Sequence, residues 1–346
     1  MLDSSKWNDI ARFLKKLRIR KIYHFACLVF SWYWSKWSGR LYHLGLPITL
    51  SIEPTTACNL RCPECPSGLR SFTRPTGNLE LKFFQNLMDE VAPHLMYLIF
   101  YFQGEPFIHP EFLKMVQIAH RKNIYTITST NGHFLTPENA IKTVQSGLDR
   151  IIISIDGTDQ STYEKYRVSG QLSQVISGIE NIMEAKRSLR SNSPFVLLQF
   201  LVVRHNQHQI EEIKTLAKSL KVDQLRFKTA QIYDYENGNP LIPTIEKYSR
   251  YTQSPSGKYV LKRKYNNPKQ CWKMWHSAVI TWDGKMLPCC FDKDAEHEMG
   301  TIDPEHPLSE IWRSPSYHAF RKQLSDDRSN INICQNCSEG VSVWRK

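Results

Sequence analysis

The sequence predicts an α/β fold, in which a full or partial barrel of six β/α units precedes a small cysteine-rich domain. Apolar, strand-like runs alternate with amphipathic helical patterns from residue 48 onward. Three cysteines fall within eight residues directly after the first of these runs. Five more cysteines occupy a final segment, from residue 271, that is too short for a second barrel.

The barrel prediction depends on runs rich in β-branched and aromatic residues. They cover residues 48–53, 96–102, 124–130, 150–156, 195–203 and 224–232. Helical patterns lie between them, at about 80–92, 111–122, 137–147, 172–189 and 207–220. Runs that are apolar on both faces and alternate with helices indicate a parallel sheet of βαβ units. In such folds the chemistry lies at the carboxyl ends of the strands.

The composition divides the chain into four parts. We expect a basic, aromatic helical segment over residues 1–47 and the barrel over residues 48–233. Residues 234–270 are rich in Pro, Gly, Asn and Lys and are interpreted as a connection. Residues 271–346 form the predicted cysteine-rich domain.

Charge and cysteine content limit the function classes. The chain carries a formal net charge of +12, and no stretch of about 20 apolar residues occurs. The apolar run at residues 22–34 has no small-residue cleavage site after it, so we expect a cytoplasmic protein. In a reducing compartment, nine cysteines in clusters are better interpreted as metal ligands than as disulfides. Cys27, alone in the aromatic segment, is interpreted as an apolar filler, with reversible acylation as the alternative.

The first 47 residues hold nine Lys or Arg against two acids, together with four of the nine tryptophans. One helical face is apolar and the opposite face is basic; they hold, respectively, Trp7, Ile10, Leu14 and Leu17, and Arg12, Lys15 and Lys16. This pattern is typical of a helix that makes peripheral contact with an anionic membrane, and we expect the inner membrane surface. The alternative is a helix that packs on the barrel of this protein and leaves its lysines in solvent.

The stretch "TTACNLRCPECPSG" holds Cys58, Cys62 and Cys65. Three thiolates on one short loop can hold three corners of a cubane iron-sulfur cluster and leave one iron without a protein ligand. Catalytic metal centres keep such an open position, whereas structural centres close it. The alternative from spacing alone is half of a zinc site that distant cysteines complete.

This C-x3-C-x2-C loop after the first strand resembles the radical S-adenosylmethionine (radical SAM) superfamily. The resemblance implies a 4Fe-4S cluster whose open iron binds the amino and carboxylate groups of S-adenosylmethionine. It also implies reductive cleavage to a 5′-deoxyadenosyl radical, which abstracts hydrogen from a substrate. One departure is Glu64, which stands just before the third cysteine, where the family often has an aromatic residue.

Two further segments carry the resemblance along the chain. "FQGEP" follows the second predicted strand and resembles the family's "GGEP" segment, with Gln103 in place of the first glycine. The resemblance implies that Gly104 and Glu105 hold the amino group of S-adenosylmethionine, since a carboxylate is a good acceptor for an ammonium. For Glu105 alone, the alternative is a surface acid.

After the third and fourth strands, "STNG" (129–132) and "SIDG" (154–157) resemble segments that face the ribose and methionyl parts of S-adenosylmethionine. The resemblance implies that Ser154 and Asp156 bind this molecule, with a turn or cap role as the alternative. Arg167 would face the carboxylate of S-adenosylmethionine or lie on the surface as an ordinary arginine.

The last segment resembles the SPASM or twitch extension of radical SAM enzymes, which binds auxiliary 4Fe-4S clusters. Its pattern is Cys271-x12-Gly284-x4-Cys289 followed by Cys334-x2-Cys337. A hairpin at Asp283–Gly284 would bring Cys271 and Cys289 together. Four cysteines suffice for one auxiliary cluster, and Cys290 packs beside Cys289 or substitutes for it. The alternative for the whole set is a zinc ribbon.

The resemblance implies a radical SAM oxidoreductase that receives electrons from an external flavodoxin- or ferredoxin-type donor. A single auxiliary cluster favours two-electron oxidation of a small, lipid-type or sugar-type substrate, with a ribosomal peptide-modifying maturase as the alternative. Such an oxidation needs a base for the released proton, and Asp292 is the candidate. A non-enzymatic zinc- or RNA-binding protein is the alternative of another class. Nucleic acid is not the expected partner, because the positive charge is concentrated in one short segment.

Overall fold

The computed structural model describes residues 4–262, 269, 271–338 and 344–345. Parts of the predicted N-terminal segment, connection and C-terminal domain therefore lie outside the described residues. The helices are α1 Ser4–Lys15, α2 Ile19–Ser38, α3 Pro66–Leu69, α4 Leu81–Val91, α5 Phe112–Arg121, α6 Pro137–Gln145, α7 Gln160–Tyr163, α8 Leu172–Ser188, α9 Ile210–Ser219, α10 Trp272–His276, α11 Leu308–Ile311, α12 Pro315–Asp327 and α13 Asn332–Gln335.

The strands are β1 Thr49–Ile52, β2 Tyr97–Ile99, β3 Tyr125–Thr130, β4 Arg150–Ser154, β5 Phe195–Val202, β6 Gln224–Thr229, β7 Tyr251–Gln253, β8 Tyr259–Leu261, β9 Ser277–Ile280, β10 Lys285–Leu287, β11 Gly300–Thr301 and β12 Trp344–Arg345. All six runs that the sequence predicts as strands form strands. The predicted helix at 207–220 begins with a 3-10 turn, Gln207–Gln209, which continues directly into α9.

The six β/α units form one parallel sheet in sequence order, from β1 to β6. Among the described residues, β6 pairs with β5 and β12 rather than with β1, so the barrel is partial rather than full. Every residue of β5 is buried, as expected for a strand with one face toward the helices and the other toward the barrel interior. The α/β prediction is confirmed.

The cysteine-rich segment contributes strands to this same sheet. β9 pairs in parallel with β1, and β10 turns back antiparallel to β9 across Asp283–Gly284. Gly284 has a positive φ of 84°, which explains the glycine at this turn. The predicted hairpin is present. The connection before it contains a small two-stranded sheet, β7–β8.

The N-terminal helices lie against the amino ends of the strands, and charged side chains of this segment face inward there. Asp9 is buried and pairs with Arg150, which begins β4, and with the Tyr125 hydroxyl of β3. Lys16 forms an ion pair with Asp149 and donates to the main-chain oxygen of Ile124 at 3.0 Å. The predicted alternative, a helix packed on the barrel, therefore describes α1.

The expectation that the lysines of this segment lie in solvent is wrong for Lys16. Trp7 and Leu14 are each 56% exposed, whereas Lys16 is buried. The reason is that the strand ends offer a carboxylate and main-chain oxygens, which bind cations better than they accommodate an indole ring. No helix among the described residues is both long and apolar enough to cross a bilayer.

We predict that Asp9→Ala lowers the free energy of unfolding by roughly 2–4 kcal/mol, because the change leaves Arg150 and the Tyr125 hydroxyl without their common acceptor. Urea denaturation of the reconstituted protein measures this. Glu138→Ala is the control, since that exposed i,i+4 pair with Lys142 should leave the free energy of unfolding almost unchanged. Equal losses in the two variants would contradict the anchoring role of Asp9.

Candidate functional site

The three-cysteine loop begins where β1 ends, at the carboxyl edge of the sheet. The thiols of Cys58, Cys62 and Cys65 lie near enough to interact electrostatically with one another. Burial raises the pKa of Cys58 to about 12, and it also raises the pKa of Cys62. Three ionised thiols at this place therefore need a compensating positive charge, which a bound iron-sulfur cluster supplies. This donor set fits the predicted cluster.

The segment around Gly104 packs directly against the cysteine loop. Gly104 has a positive φ of 74°, and a Cβ atom there would approach the main-chain oxygen of Thr55 to 2.1 Å. Its N–H donates to the Ser67 hydroxyl at 2.8 Å, and the Glu105 N–H donates to the main-chain oxygen of Ala57 at 2.8 Å. A residue with a side chain could not occupy position 104 without displacing the loop. Gly104 therefore fixes the spacing between the two segments.

The Glu105 carboxylate is buried and is held by the segment that follows β3. Oε1 accepts from the Thr130 hydroxyl at 2.8 Å and from the Phe107 N–H, and Oε2 accepts from the Asn131 N–H at 2.7 Å. Burial raises the pKa of Glu105 to about 7, although these hydrogen bonds lower it. The alternative of a surface acid is wrong. Contact with S-adenosylmethionine stays a prediction.

Arg167 is partly buried between the segment after the fourth strand and the cysteine loop, with 15% of its side chain exposed. Its Nε donates to Asp156 Oδ2 at 2.5 Å, and its Nη1 lies 3.8 Å from Cys62 Sγ. Burial lowers the pKa of Arg167, but the charges of Asp156 and Cys62 raise it well above the usual value overall. The surface alternative for Arg167 is therefore wrong. Its positive charge lies next to one predicted cluster ligand.

The fold thus brings together most of the predicted residues of the first site. The charges of Glu105 and Arg167 interact, and Asp156 Oδ1 also accepts from the Leu201 N–H in β5 at 2.7 Å. Ser154 ends β4, buried, in register with Gln199 of β5. Binding of S-adenosylmethionine by Ser154 and Asp156 stays a prediction.

The C-terminal cysteines form a second group around a buried arginine. Burial lowers the pKa of Arg328, but its neighbours Cys271, Cys337 and Cys334 raise it above the usual value. Nη2 of Arg328 lies 3.4 Å from Cys337 Sγ. Cys289 interacts electrostatically with Cys271. The four predicted auxiliary ligands therefore share one neighbourhood, although they come from the loop after β10, from α13, from the loop after α13 and from the residue before α10.

Cys289 and Cys290 have different surroundings. Cys289 neighbours Cys271, whereas Cys290 accepts a hydrogen bond from Lys273 Nζ at 3.0 Å and packs with Phe102 and Leu287. The hydrogen bond from Cys289 and the Lys273 ammonium lower the pKa of Cys290. These contacts favour Cys289 as the ligand, whereas the Cys290 thiol, which is hydrogen-bonded to that of Cys289, also contacts Lys273.

Asp292 organises its own turn. Its two carboxylate oxygens accept the N–H groups of Glu296 at 2.8 Å and His297 at 2.9 Å, and its own N–H donates to the main-chain oxygen of Cys289. Burial raises the pKa of Asp292. This arrangement agrees with a turn acid, but a buried rather than a solvated one. Its role as a base stays a prediction.

The spacing of the side chains also bears on the zinc alternatives. Among the residues that the structure describes, no group of three or more His, Cys, Asp or Glu side chains could hold a single metal ion. A tetrahedral zinc site needs all its sulfurs about 2.3 Å from one ion. A cubane cluster binds its thiolates through different iron atoms, so its ligands stand farther apart.

Sequence reasoning missed several charged groups of the site. Arg74 binds both oxygens of Glu53, at 2.9 and 2.6 Å, directly after β1. Burial, together with the nearby charges of Arg250 and Lys293, lowers the pKa of Lys228 to about 8. Neither these residues nor Arg328 belong to a recognisable motif, so only their three-dimensional neighbours reveal them.

Comparisons with protein-family models identify both cysteine-bearing regions. The Radical SAM superfamily model matches residues 52–224. The model of the SPASM iron-sulfur cluster-binding domain matches residues 271–338. The two matches contain the first and second cysteine groups, respectively.

Similar proteins and structures agree with these matches. The chain is 26% identical over 291 residues to the PqqA peptide cyclase of Gluconobacter oxydans, and the aligned region covers 80% of this chain and 79% of that protein.

Three solved structures share the fold. SuiB of Streptococcus suis bound to S-adenosylmethionine superposes with a TM-score of 0.62 at 14% identity, over 87% of this chain and 74% of that chain. SuiB bound to its precursor peptide SuiA gives 0.61 at 14% identity, over 90% and 74%. The anSMEcpe structure with bound AdoMet gives 0.58 at 16% identity, over 86% and 92%. At these identities, the structural similarities show the fold alone.

We predict that Arg167→Met lowers the free energy of unfolding by roughly 3–5 kcal/mol, because Asp156 would remain buried without its counter-ion. In an Asp156→Asn background, the same change should cost at least about 1 kcal/mol less, since the two residues act as a pair. Urea denaturation of all four forms measures the coupling. Strictly additive losses would contradict the pairing.

We also predict different iron contents for the two adjacent cysteines. Cys289→Ser should reduce the reconstituted protein from about eight to about four irons per chain, because one auxiliary ligand is lost. Cys290→Ser, the matched control, should retain about eight. Iron and sulfide analysis of anaerobically prepared protein measures both. Iron loss from the Cys290 variant alone would reverse the ligand assignment.

Proposed function

The chain belongs to the radical SAM superfamily, and from this premise we propose that it uses S-adenosylmethionine to modify a ribosomally made peptide. Its cofactors are a 4Fe-4S cluster, S-adenosylmethionine and auxiliary iron-sulfur chemistry in the SPASM domain. The observation that carries the radical chemistry is the presence of two cysteine groups: a set of three in the loop after β1, and a set of four that flanks the β9–β10 hairpin and includes α13.

We infer that Cys58, Cys62 and Cys65 hold the first cluster and leave one iron for S-adenosylmethionine. When bound, this cluster supplies the electron that cleaves S-adenosylmethionine and yields a 5′-deoxyadenosyl radical. Gly104 keeps the neighbouring segment within hydrogen-bonding distance of the cysteine loop. The nearby Arg167 guanidinium offers positive charge for the carboxylate of S-adenosylmethionine and for the sulfur of Cys62.

In the second group, Cys271, Cys289, Cys334 and Cys337 would bind one auxiliary 4Fe-4S cluster. Arg328 donates to this group from within the protein and offsets the negative charge of its thiolates. Four ligands close the coordination, so this cluster would carry electrons rather than bind substrate. An external flavodoxin- or ferredoxin-type protein would supply electrons to the chain.

The substrate class follows from the related proteins. The PqqA peptide cyclase is related over four-fifths of this chain, and its name states a peptide substrate. SuiB, which shares the fold, has been solved with a precursor peptide. These relatives support the peptide alternative better than the two-electron oxidation of a small, lipid-type or sugar-type substrate that the single auxiliary set suggests.

We predict that replacing Cys58, Cys62 and Cys65 together with Ala abolishes 5′-deoxyadenosine formation and leaves about four irons per chain. Both are measured after anaerobic reconstitution, with S-adenosylmethionine and a chemical reductant, by chromatography and iron analysis. Replacing Cys27 with Ala is the control and should change neither value. Zinc in place of iron, with no cleavage by the unchanged protein, would refute the proposed function.

The substrate class is tested by co-expression with candidate precursor peptides, chosen from any short reading frames beside its gene. We expect one of them to lose two hydrogen atoms for each new bond, as measured by mass spectrometry, and the three-cysteine variant to leave it unmodified. Conversion of a small alcohol or thiol with no change in any peptide would favour the oxidation instead.

A further inference from the structure

We propose that the N-terminal helices dock the protein onto an anionic membrane surface through an aromatic face of α2. This aromatic face consists of Ile19, Tyr23, Phe30, Trp34 and Trp37, which recur at helical spacing along one side of the helix. All five side chains are exposed, and Ile19 and Trp37 are each 79% exposed. The proposal goes beyond the proposed catalytic function and does not depend on it.

The opposite side of α2 is fixed to the protein and sets this orientation. Lys21 donates to the main-chain oxygen of Asn123 at 2.6 Å, and Leu28 is fully buried. Ser31 accepts a hydrogen bond from the Trp275 indole at 3.0 Å. Because these contacts hold one side of the helix against the barrel and α10, the aromatic face cannot turn inward without breaking them.

The exposed aromatic rings form a continuous surface rather than isolated residues. Phe30 stacks on Trp34 with ring centroids 5.8 Å apart, and Trp34 contacts Trp37 at 5.5 Å. A helix of 20 residues is about 30 Å long, so the face is long enough to lie along the headgroup region of a bilayer. Of the 19 exposed large apolar side chains among the described residues, 12 lie between Trp7 and Tyr42.

The charges around the aromatic face identify the membrane as its partner. Arg18, Arg20, Lys36 and Arg40 are exposed at the two ends of α2. Between Asp9, which is buried in ion pairs, and Glu53 the sequence contains no acidic residue. Basic residues that flank exposed Trp and Tyr complement anionic headgroups. A second copy of the chain would bring two positive surfaces together, which opposes self-association through this face.

Docking in this way leaves the reactive centre accessible. The N-terminal helices contact the amino ends of β3 and β4 through Ile124 and Asp149, whereas the three-cysteine loop follows the carboxyl end of β1. The parallel strands therefore separate the docking surface from the loop. The surface would determine where the enzyme works rather than deliver a lipid to the cluster.

Vesicle flotation of the full-length, reconstituted protein tests the proposal. The probes are phosphatidylcholine vesicles with and without phosphatidylglycerol, at low and high salt. We expect at least tenfold stronger binding to the anionic vesicles, with a marked decrease at high salt. Trp34→Ser with Trp37→Ser should reduce that binding at least tenfold, whereas Ile141→Ser with Leu189→Ser, exposed apolar positions elsewhere, should not change it.

A second pair of variants separates charge from apolar contact. Arg18→Gln with Arg20→Gln should weaken binding several-fold and reduce its salt dependence, whereas Lys114→Gln with Lys142→Gln should leave both unchanged. Unchanged iron content and circular dichroism establish that each variant is folded. Absence of vesicle binding, equal binding to neutral vesicles, or concentration-dependent dimerisation that the two Trp substitutions abolish would each overturn the proposal.

Discussion

The arrangement of both cysteine groups depends on the parallel pairing of β9 with β1. β1 lies between β2 and β9, so its carboxyl end carries the three-cysteine loop while its neighbour leads into the auxiliary cysteines. Each main-chain hydrogen bond contributes only about 1 kcal/mol net to the free energy of unfolding. The series of these bonds between β1 and β9 nevertheless fixes which residues of the two strands lie opposite each other. Glu53, directly after β1, also connects β1 to the hairpin, because its carboxylate pairs with Arg74 and accepts a hydrogen bond from the Trp282 N–H. The two centres are therefore held at a fixed separation by one sheet.

The charged groups at the first centre are paired or hydrogen-bonded within the protein. Arg167 lies between Asp156 and Cys62, and Glu105 is held by three hydrogen bonds. An isolated charge at such depth would be costly, and each is instead paired or hydrogen-bonded. The same principle applies to Arg328 among the auxiliary cysteines.

In the N-terminal segment, charged side chains face the protein and several apolar side chains face outward. The amphipathic pattern of α1 is real, yet its buried side includes Asp9 and Lys16, while Trp7 and Leu14 face outward. Charged partners at the strand ends outweigh the hydrophobic gain of turning the apolar stripe inward. The consequence is a strongly apolar and basic outer surface, which is unusual for a surface with no partner.

The sequence alone determined the six parallel strands, the hairpin at Asp283–Gly284 and the division of cysteines into sets of three and four. These features depend on local periodicity and spacing, which a linear sequence records directly. The tertiary structure alone decided that the barrel is partial, that β9 joins β1 and that Arg167 pairs with Asp156 beside Cys62. It also decided which side of α1 and α2 faces the protein. Those outcomes depend on contacts between residues distant in sequence, whose energies are set by burial and by partners that no local pattern specifies.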